Sequence, residues 1–339
     1  MNPVFLYTLV SLGSISFILG AGLAFASRRF AVEIDPRVEQ LIEILPGANC
    51  GGCGYAGCAA YAGAIIGEDA SVTLCAPGGN QVIQEISELL GLEEVKTVRQ
   101  IAYLHCAGSK DKAKDKYIYD GIEDCRVAVL LAGGPKACNS GCLGFGSCVG
   151  VCKFDALTMG EDGLPVVDRE KCTACGACVR TCPKHLFTLL QDTVSIYLAC
   201  SSHEKGKAVK EACSVGCIGC SICVKVTESD EIEMKDSLPS INYNASMNLV
   251  LAHYKCPTNS YIDLAPKRPY MVIDKNNCKG HGKCGEVCPV KNCVTGEQGE
   301  IHSIDPKACI GCGLCLEVCP PKAIRVIGAM GYVNMDQSD

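Results

Sequence analysis

The chain has 339 residues, room for about two or three domains. It carries 28 cysteines and no tryptophan, so its cores are organised partly around something other than apolar side chains, while its length excludes the short secreted disulfide scaffolds in which so much cysteine is usual. A formal charge of −6, made more negative by any thiolate-bound iron, argues against nucleic acid as a partner.

Residues 4–26, VFLYTLVSLGSISFILGAGLAFA, form an uncharged and mostly apolar run of 23. As a helix it spans about 35 Å, against a hydrocarbon core of about 30 Å. Ala24-Phe25-Ala26 resembles a signal cleavage site, but no Lys or Arg precedes the run and its apolar part is too long for a signal peptide. The run predicts a single-pass anchor in the cytoplasmic membrane. Arg28 and Arg29 follow at once and place the bulk of the chain on the cytoplasmic side by the positive-inside rule. That compartment is reducing and favours metal thiolates over disulfides.

After a Pro-broken linker, Val38, Leu41, Ile42 and Leu45 recur at helical spacing, and Val82, Ile83, Ile86, Leu89 and Leu90 predict a second amphipathic helix over 81–92. Between them CGGCGYAGC, followed by Cys75, offers Cys50, Cys53, Cys58 and Cys75 to one metal site, with glycines that let the backbone curl round it. A zinc knuckle is the rival reading. Further on, KDKAKDK at 110–116 reads as a solvated face.

The rest of the chain is repetitive. ACNSGCLGFGSCVGVC at 137–152 aligns without gaps on ACSVGCIGCSICVKVT at 212–227, an offset of 75 that also lays Cys125 on Cys200; CKGHGKCGEVCP from 278 is a third related unit. CTACGACVRTCP at 172–183 and CIGCGLCLEVCP at 309–320 have the C-x2-C-x2-C-x3-C-P spacing in which three thiolates wrap one [4Fe–4S] cube and the fourth crosses to a neighbour. Zinc sites generally use paired C-x2-C knuckles instead.

Crossed ligation assigns Cys172, Cys175, Cys178 and Cys152 to one cube. The upstream cube takes Cys142, Cys148 and Cys182, with Phe145 in its middle position and Cys138 as the replacement. In the second unit Cys217, Cys220 and Cys223 are completed by the orphan Cys256. Ser246, Leu249 and Ala252 stand where the other cube's cysteines would be, and Thr227 stands where its fourth ligand would come from. The third unit gives Cys309, Cys312, Cys315 and Cys288, and then Cys278, Cys284 and Cys319 with Cys293 preferred over His281 as the fourth. Cys106, Cys125, Cys200 and Cys213 remain: a seventh cube requires four ligands, and the rival is a set of buried free thiols.

These readings predict an α+β chain with a single N-terminal transmembrane helix, a small 4Fe–4S domain and tandem ferredoxin-like modules. The segments are an anchor at 1–27, a linker and helix at 28–45, the N-terminal cluster domain at 46–105, a two-cluster module at 106–195, a one-cluster module at 196–268 and a second two-cluster module at 269–339. Six [4Fe–4S] clusters are expected, or seven with the spare set.

The anchor, LPGANCGGCGYAGC, YDGIEDCRVAVLLAGGPKAC and the ferredoxin modules together resemble the B subunits of Rnf complexes, the membrane-bound ferredoxin:NAD⁺ oxidoreductases. The resemblance covers essentially the whole chain; the reduced middle module and the extra C-terminal module depart from shorter members. It implies an electron-transfer subunit that accepts electrons from soluble ferredoxin and passes them to the membrane core. They end on NAD⁺ at a separate flavin-bearing subunit, coupled to export of Na⁺ or H⁺. No Rossmann fingerprint stands in this sequence, so no NAD site is expected here. An anchored polyferredoxin serving a hydrogenase or another membrane reductase would share every motif, and a zinc protein is the remaining rival. No Ser/His/Asp constellation supports a hydrolase.

Overall fold

A computed structural model describes residues 3–29, 35–93, 95–227, 231–244, 248–265 and 267–328. Its first element is α1 (Pro3–Arg29), 27 residues. The stretch Val10–Arg29 of this helix is long and apolar enough to cross a membrane, and none of it is buried against the rest of the chain.

α2 (Pro36–Ile44) begins where the Asp35 side chain accepts a hydrogen bond from the Arg37 amide and Pro36 takes an opening helical position. With α3 (Cys58–Ile66) and α4 (Gly79–Leu90) it closes one small core around Leu41, Leu45, Tyr61, Ile65, Val82 and Ile86. Ile42, expected on the buried face, is 38% exposed. The core-facing stripe runs through Val38, Leu41 and Leu45, so α2 belongs to the N-terminal cluster domain. α4 ends at Gly91, whose φ of 67° is the left-handed conformation that glycine adopts without a Cβ clash.

Three units then repeat one topology, in which the first strand pairs with the last and the two middle strands form a hairpin. In the first unit β1 (Gln100–Leu104) pairs antiparallel with β4 (Phe187–Gln191), and β2 (Leu157–Met159) with β3 (Pro165–Val167). β1 lies before residue 106, so this module starts earlier than the spacing of cysteines suggests; its IAYL run is buried on β4. In the second, β5 (Ile196–Leu198) pairs with β8 (Tyr261–Asp263), and β6 (Ile232–Lys235) with β7 (Leu238–Ile241). In the third, β9 (Tyr270–Ile273) pairs with β12 (Ile324–Ile327), and β10 (Val294–Thr295) with β11 (Ser303–Ile304). Each core mixes cysteine sulfurs with a few aliphatic side chains. Cores this small need a staple, and here the cysteines are placed to supply it.

In the middle module apolar side chains stand where the first module has its second set of cysteines. Leu249, Val250 and Ala252 are buried there at 6%, 2% and 0% exposure, and the Thr227 hydroxyl turns back onto the Cys223 carbonyl at 2.9 Å. Ser246 lies outside the described residues.

Neighbouring units touch at their cysteine loops. Arg180 Nη2 reaches the Cys50 carbonyl at 3.5 Å and Lys153 Nζ the Asn49 carbonyl at 3.1 Å, joining the N-terminal domain to the first module. Tyr103 and Tyr197 meet edge to face at 5.0 Å between the first and second modules. Asn248 Nδ2 donates to the Cys312 carbonyl at 2.7 Å between the second and third, with the Arg268–Asp263 ion pair at 2.6 Å on the linker between them. The KDKAKDK segment keeps its charged side chains in solvent as expected, but Ala113 is buried and bridges antiparallel to Cys213.

Candidate iron–sulfur sites

In the cluster loops of the first and third modules a glycine in the left-handed region precedes each short helix: Gly146 before Ser147–Gly150, Gly176 before Ala177–Thr181, Gly282 before Lys283–Glu286 and Gly313 before Leu314–Glu317. The turn bends the loop so that cysteines three apart face one space, and a side chain there would be strained.

Cys50, Cys53, Cys58 and Cys75 converge in the N-terminal domain, where Cys75 is buried and the other three sulfurs lie close enough to disfavour its ionisation. Cys152, Cys172, Cys175 and Cys178 line one cavity, and the Ala102 amide donates to Cys172 Sγ at 3.4 Å. In the middle module Cys217 has Cys223 and Cys256 beside it, and Cys223 has Cys220 and Cys256, so the orphan Cys256 faces the loop it was expected to complete. Among the described cysteines Cys220 alone is exposed.

Three placements differ from the spacing-based assignment. Cys142, Cys148 and Cys182 are joined by Cys125, which neighbours both Cys142 and Cys148; its amide is held by Ser147 Oγ at 2.7 Å, next to Cys148 in the chain. Cys138, assigned there by spacing, instead faces Cys106, Cys200 and Cys213 across one cavity. The two cysteines have exchanged sets, because the chain between Cys106 and Cys138 makes an excursion that the constant offset of 75 does not register. Third, Cys293 lies with Cys288 and Cys309, lining one cavity together with Cys312 and Cys315. Cys278, Cys284 and Cys319 lie together without it. His281, the alternative ligand, is exposed on the Cys278–Cys284 loop.

The donor chemistry fits iron–sulfur clusters. Burial pushes the thiols of Cys138 and Cys148 up to about 11, and those of Cys142, Cys178, Cys217, Cys293 and Cys315 up to about 12, with neighbouring cysteines adding to each shift. Such thiols ionise when a metal takes up their charge. Among the described residues no group of three or more His, Cys, Asp or Glu side chains closes on a point as a single ion requires. In three of the sets the sulfurs line a cavity, which suits a cube with its irons at the corners.

Comparison with known proteins agrees. A model described as an Fe-S cluster matches residues 45–77, a 4Fe-4S binding domain matches 165–187 and a 4Fe-4S dicluster domain matches 270–326. The B subunit of the ion-translocating oxidoreductase complex of Methanosarcina acetivorans is 41% identical over 291 residues, 86% of this chain and 98% of its own. The chain belongs to the B-subunit family of the ion-translocating ferredoxin:NAD⁺ oxidoreductases, the Rnf complexes. Two further members of the family match nearly as widely. The B subunit of the Na⁺-translocating ferredoxin:NAD⁺ oxidoreductase complex of Acetobacterium woodii is 40% identical over 73% of this chain and 74% of its own. Its proton-translocating counterpart from Clostridium ljungdahlii is 41% identical over 77% and 92%.

Proposed function

We propose that this chain is the membrane-anchored electron-transfer subunit of an Rnf-type complex, accepting electrons from reduced soluble ferredoxin and relaying them to the membrane core while the complex exports Na⁺ or H⁺. The observation that carries the reading is spatial order. The N-terminal set abuts the Cys175 loop through Arg180 and Cys50, the two sets of the first module interleave, and the middle module meets the third at Cys312. Modules therefore follow one another in space in the order in which they occur in the sequence.

When bound, the clusters supply one-electron carriers, with potentials tuned by hydrogen bonds to sulfur and by exposure. The chain's own residues hold the carriers in series, shield the buried sulfurs from water and donate amides to sulfur, as Ala102 does to Cys172. NAD⁺ is reduced on the separate flavin-bearing subunit. α1 with Arg28 and Arg29 at its end supports a single span with the cluster-bearing bulk in the cytoplasm. The names of the relatives support ferredoxin as donor.

In this reading the C-terminal module takes the electrons and the N-terminal domain, next to α1 in sequence, delivers them. The third module closes on itself through β9–β12 and β10–β11, so removing residues 269–339 leaves the remaining pairings intact. That deletion should abolish reduction by ferredoxin in a complex that still assembles. Undiminished reduction would overturn the proposed point of entry.

A further inference from the structure

Four cysteines meet at the junction of the first and second modules: three left over from the sets expected from the motifs, and Cys138, which spacing assigns to the Cys142 set. Cys106, Cys138, Cys200 and Cys213 line one cavity. Cys106, Cys200 and Cys213 are buried and Cys138 is half-buried.

The cavity is built from two copies of one arrangement. Cys106 stands two residues after β1, and Cys200 two residues after β5. Each sulfur accepts a hydrogen bond from the first loop cysteine of its own module: the Cys142 amide donates to Cys106 Sγ at 3.4 Å, and the Cys217 amide to Cys200 Sγ at 3.2 Å. Cys138 and Cys213 each stand four residues before that loop cysteine. The lining repeats accordingly, with 106–108 and 138–141 on one side and 200–202 and 213–216 on the other.

Reciprocal contacts hold the two copies face to face. The Ala107 amide donates to the Ala199 carbonyl at 3.0 Å, and the Ser201 hydroxyl donates to the His105 carbonyl, also at 3.0 Å. The KDKAKDK segment stitches the rim, with the Lys114 amide on the Ala212 carbonyl and the Ser214 amide on the Lys112 carbonyl, both at 2.9 Å. The walls are closely fitted: a Cβ at Gly108 would stand 3.4 Å from Cys213 Sγ and 3.6 Å from Cys106 Sγ. Inert core thiols would pack singly among apolar side chains. Here each module contributes two sulfurs in equivalent positions to one shared space, with amides already directed at two of them.

We propose that Cys106, Cys138, Cys200 and Cys213 hold a [4Fe–4S] cluster shared between the first and second modules. The proposal rests on the iron–sulfur reading of the other sets. The shared cluster lies between the set of Cys125, Cys142, Cys148 and Cys182 and the set of Cys217, Cys220, Cys223 and Cys256, one backbone amide from a cysteine of each. It is the link that makes the series of carriers continuous.

The test is iron and acid-labile sulfide per chain, with native mass spectrometry, on the full-length protein purified anaerobically. Wild type should hold about 28 irons, at four per cube. The Cys138→Ser/Cys213→Ser double variant, which removes one ligand from each module and leaves the other sets untouched, should hold about 24, with matching loss of sulfide and of one reduced-cluster signal in electron paramagnetic resonance. Wild type at about 24 irons with Cys106, Cys138, Cys200 and Cys213 alkylatable overturns the shared cluster alone, and so does a double variant that retains all its iron. Should the double variant not fold, the wild-type count decides by itself. Stoichiometric zinc with little iron or sulfide would overturn both this proposal and the electron-transfer reading.

Discussion

The amide of Cys217 donates to the sulfur of Cys200 at 3.2 Å, although Cys200 follows the first strand of its module and Cys217 opens the cluster loop. The same pairing joins Cys142 to Cys106 in the preceding module. Strand end and cluster loop are therefore fastened at the sulfur itself. A change at either position reaches the environment of the neighbouring cysteine set.

In the middle module, Tyr261 is buried and its hydroxyl has no nitrogen or oxygen partner. It faces Cys223, whose ionisation it favours although burial as the larger effect pushes that thiol up. Phe187 occupies the equivalent place five residues after the Cys-Pro cysteine of the first module, so Tyr261→Phe is tolerated by the fold. The variant should keep its iron and lower the midpoint potential of the middle cluster. The expected shift is about 20–65 mV, the one-electron equivalent of a net hydrogen bond of about 0.5–1.5 kcal/mol. A spectroscopic redox titration reads it directly, and an unchanged potential would mean that the hydroxyl does not act on the sulfur.

Cys293 shares a cavity with Cys288, Cys309, Cys312 and Cys315, one thiol more than a cube takes. Crossed ligation already assigns Cys288 to that cube. Cys293→Ser should therefore leave iron and sulfide unchanged, while Cys288→Ser should lose about four irons. The reverse result would make Cys293 the ligand.

What was legible in the sequence was whatever a single loop encodes. C-x2-C-x2-C places three sulfurs in one turn, so Cys172, Cys175 and Cys178, which line one cavity, could be grouped from spacing alone, and the apolar character of the middle module at Leu249 and Ala252 was visible in the alignment of the repeats. The repeated strand pairing was implied by the repeat. Distant fourth ligands were harder, because they depend on where the chain returns. Thirty-two residues separate Cys106 from Cys138, but thirteen separate Cys200 from Cys213. Counting at a fixed offset across that excursion paired Cys125 with Cys200, where the true counterpart is Cys106. An apolar strand ending two residues before each of Cys106 and Cys200 was the available signal. Cys293 was misplaced for a related reason: sequence proximity to Cys288 does not say which face of the module it joins.

At the first junction, a Cβ on Gly52 would stand 2.9 Å from the Cys175 carbonyl oxygen and 3.2 Å from its Cα. Gly52→Ala must push the N-terminal domain away from the first module, since backbone on the opposing side cannot yield as a flexible side chain would. Electron tunnelling weakens steeply with distance. The variant should retain its full iron content and yet support slower ferredoxin-driven NAD⁺ reduction in the assembled complex; an unchanged rate would show that electrons do not cross here.

Stripped of iron, the buried thiols should be poor nucleophiles. Burial raises Cys142, Cys178 and Cys217 to about 12, so at about pH 8 only a small fraction of each is thiolate, and that fraction grows about tenfold per pH unit up to the raised value. Cys220 is exposed. Brief iodoacetamide treatment of freshly prepared iron-free protein at that pH, followed by peptide mass mapping, should label Cys220 ahead of these three. Equal labelling would mean that the sites open once the metal leaves.

Leu249, Val250 and Ala252 occupy the space where the middle module would otherwise hold a second cube, and this packing has a consequence for electron pairing. In the proposed reading, modules with two carriers can store two electrons side by side, whereas the middle one passes them in single file. Reduction of a nicotinamide requires a hydride, which carries two electrons together. In that reading the two electrons cross the middle module one at a time, and their pairing falls to a carrier downstream of it that can hold the first until the second arrives.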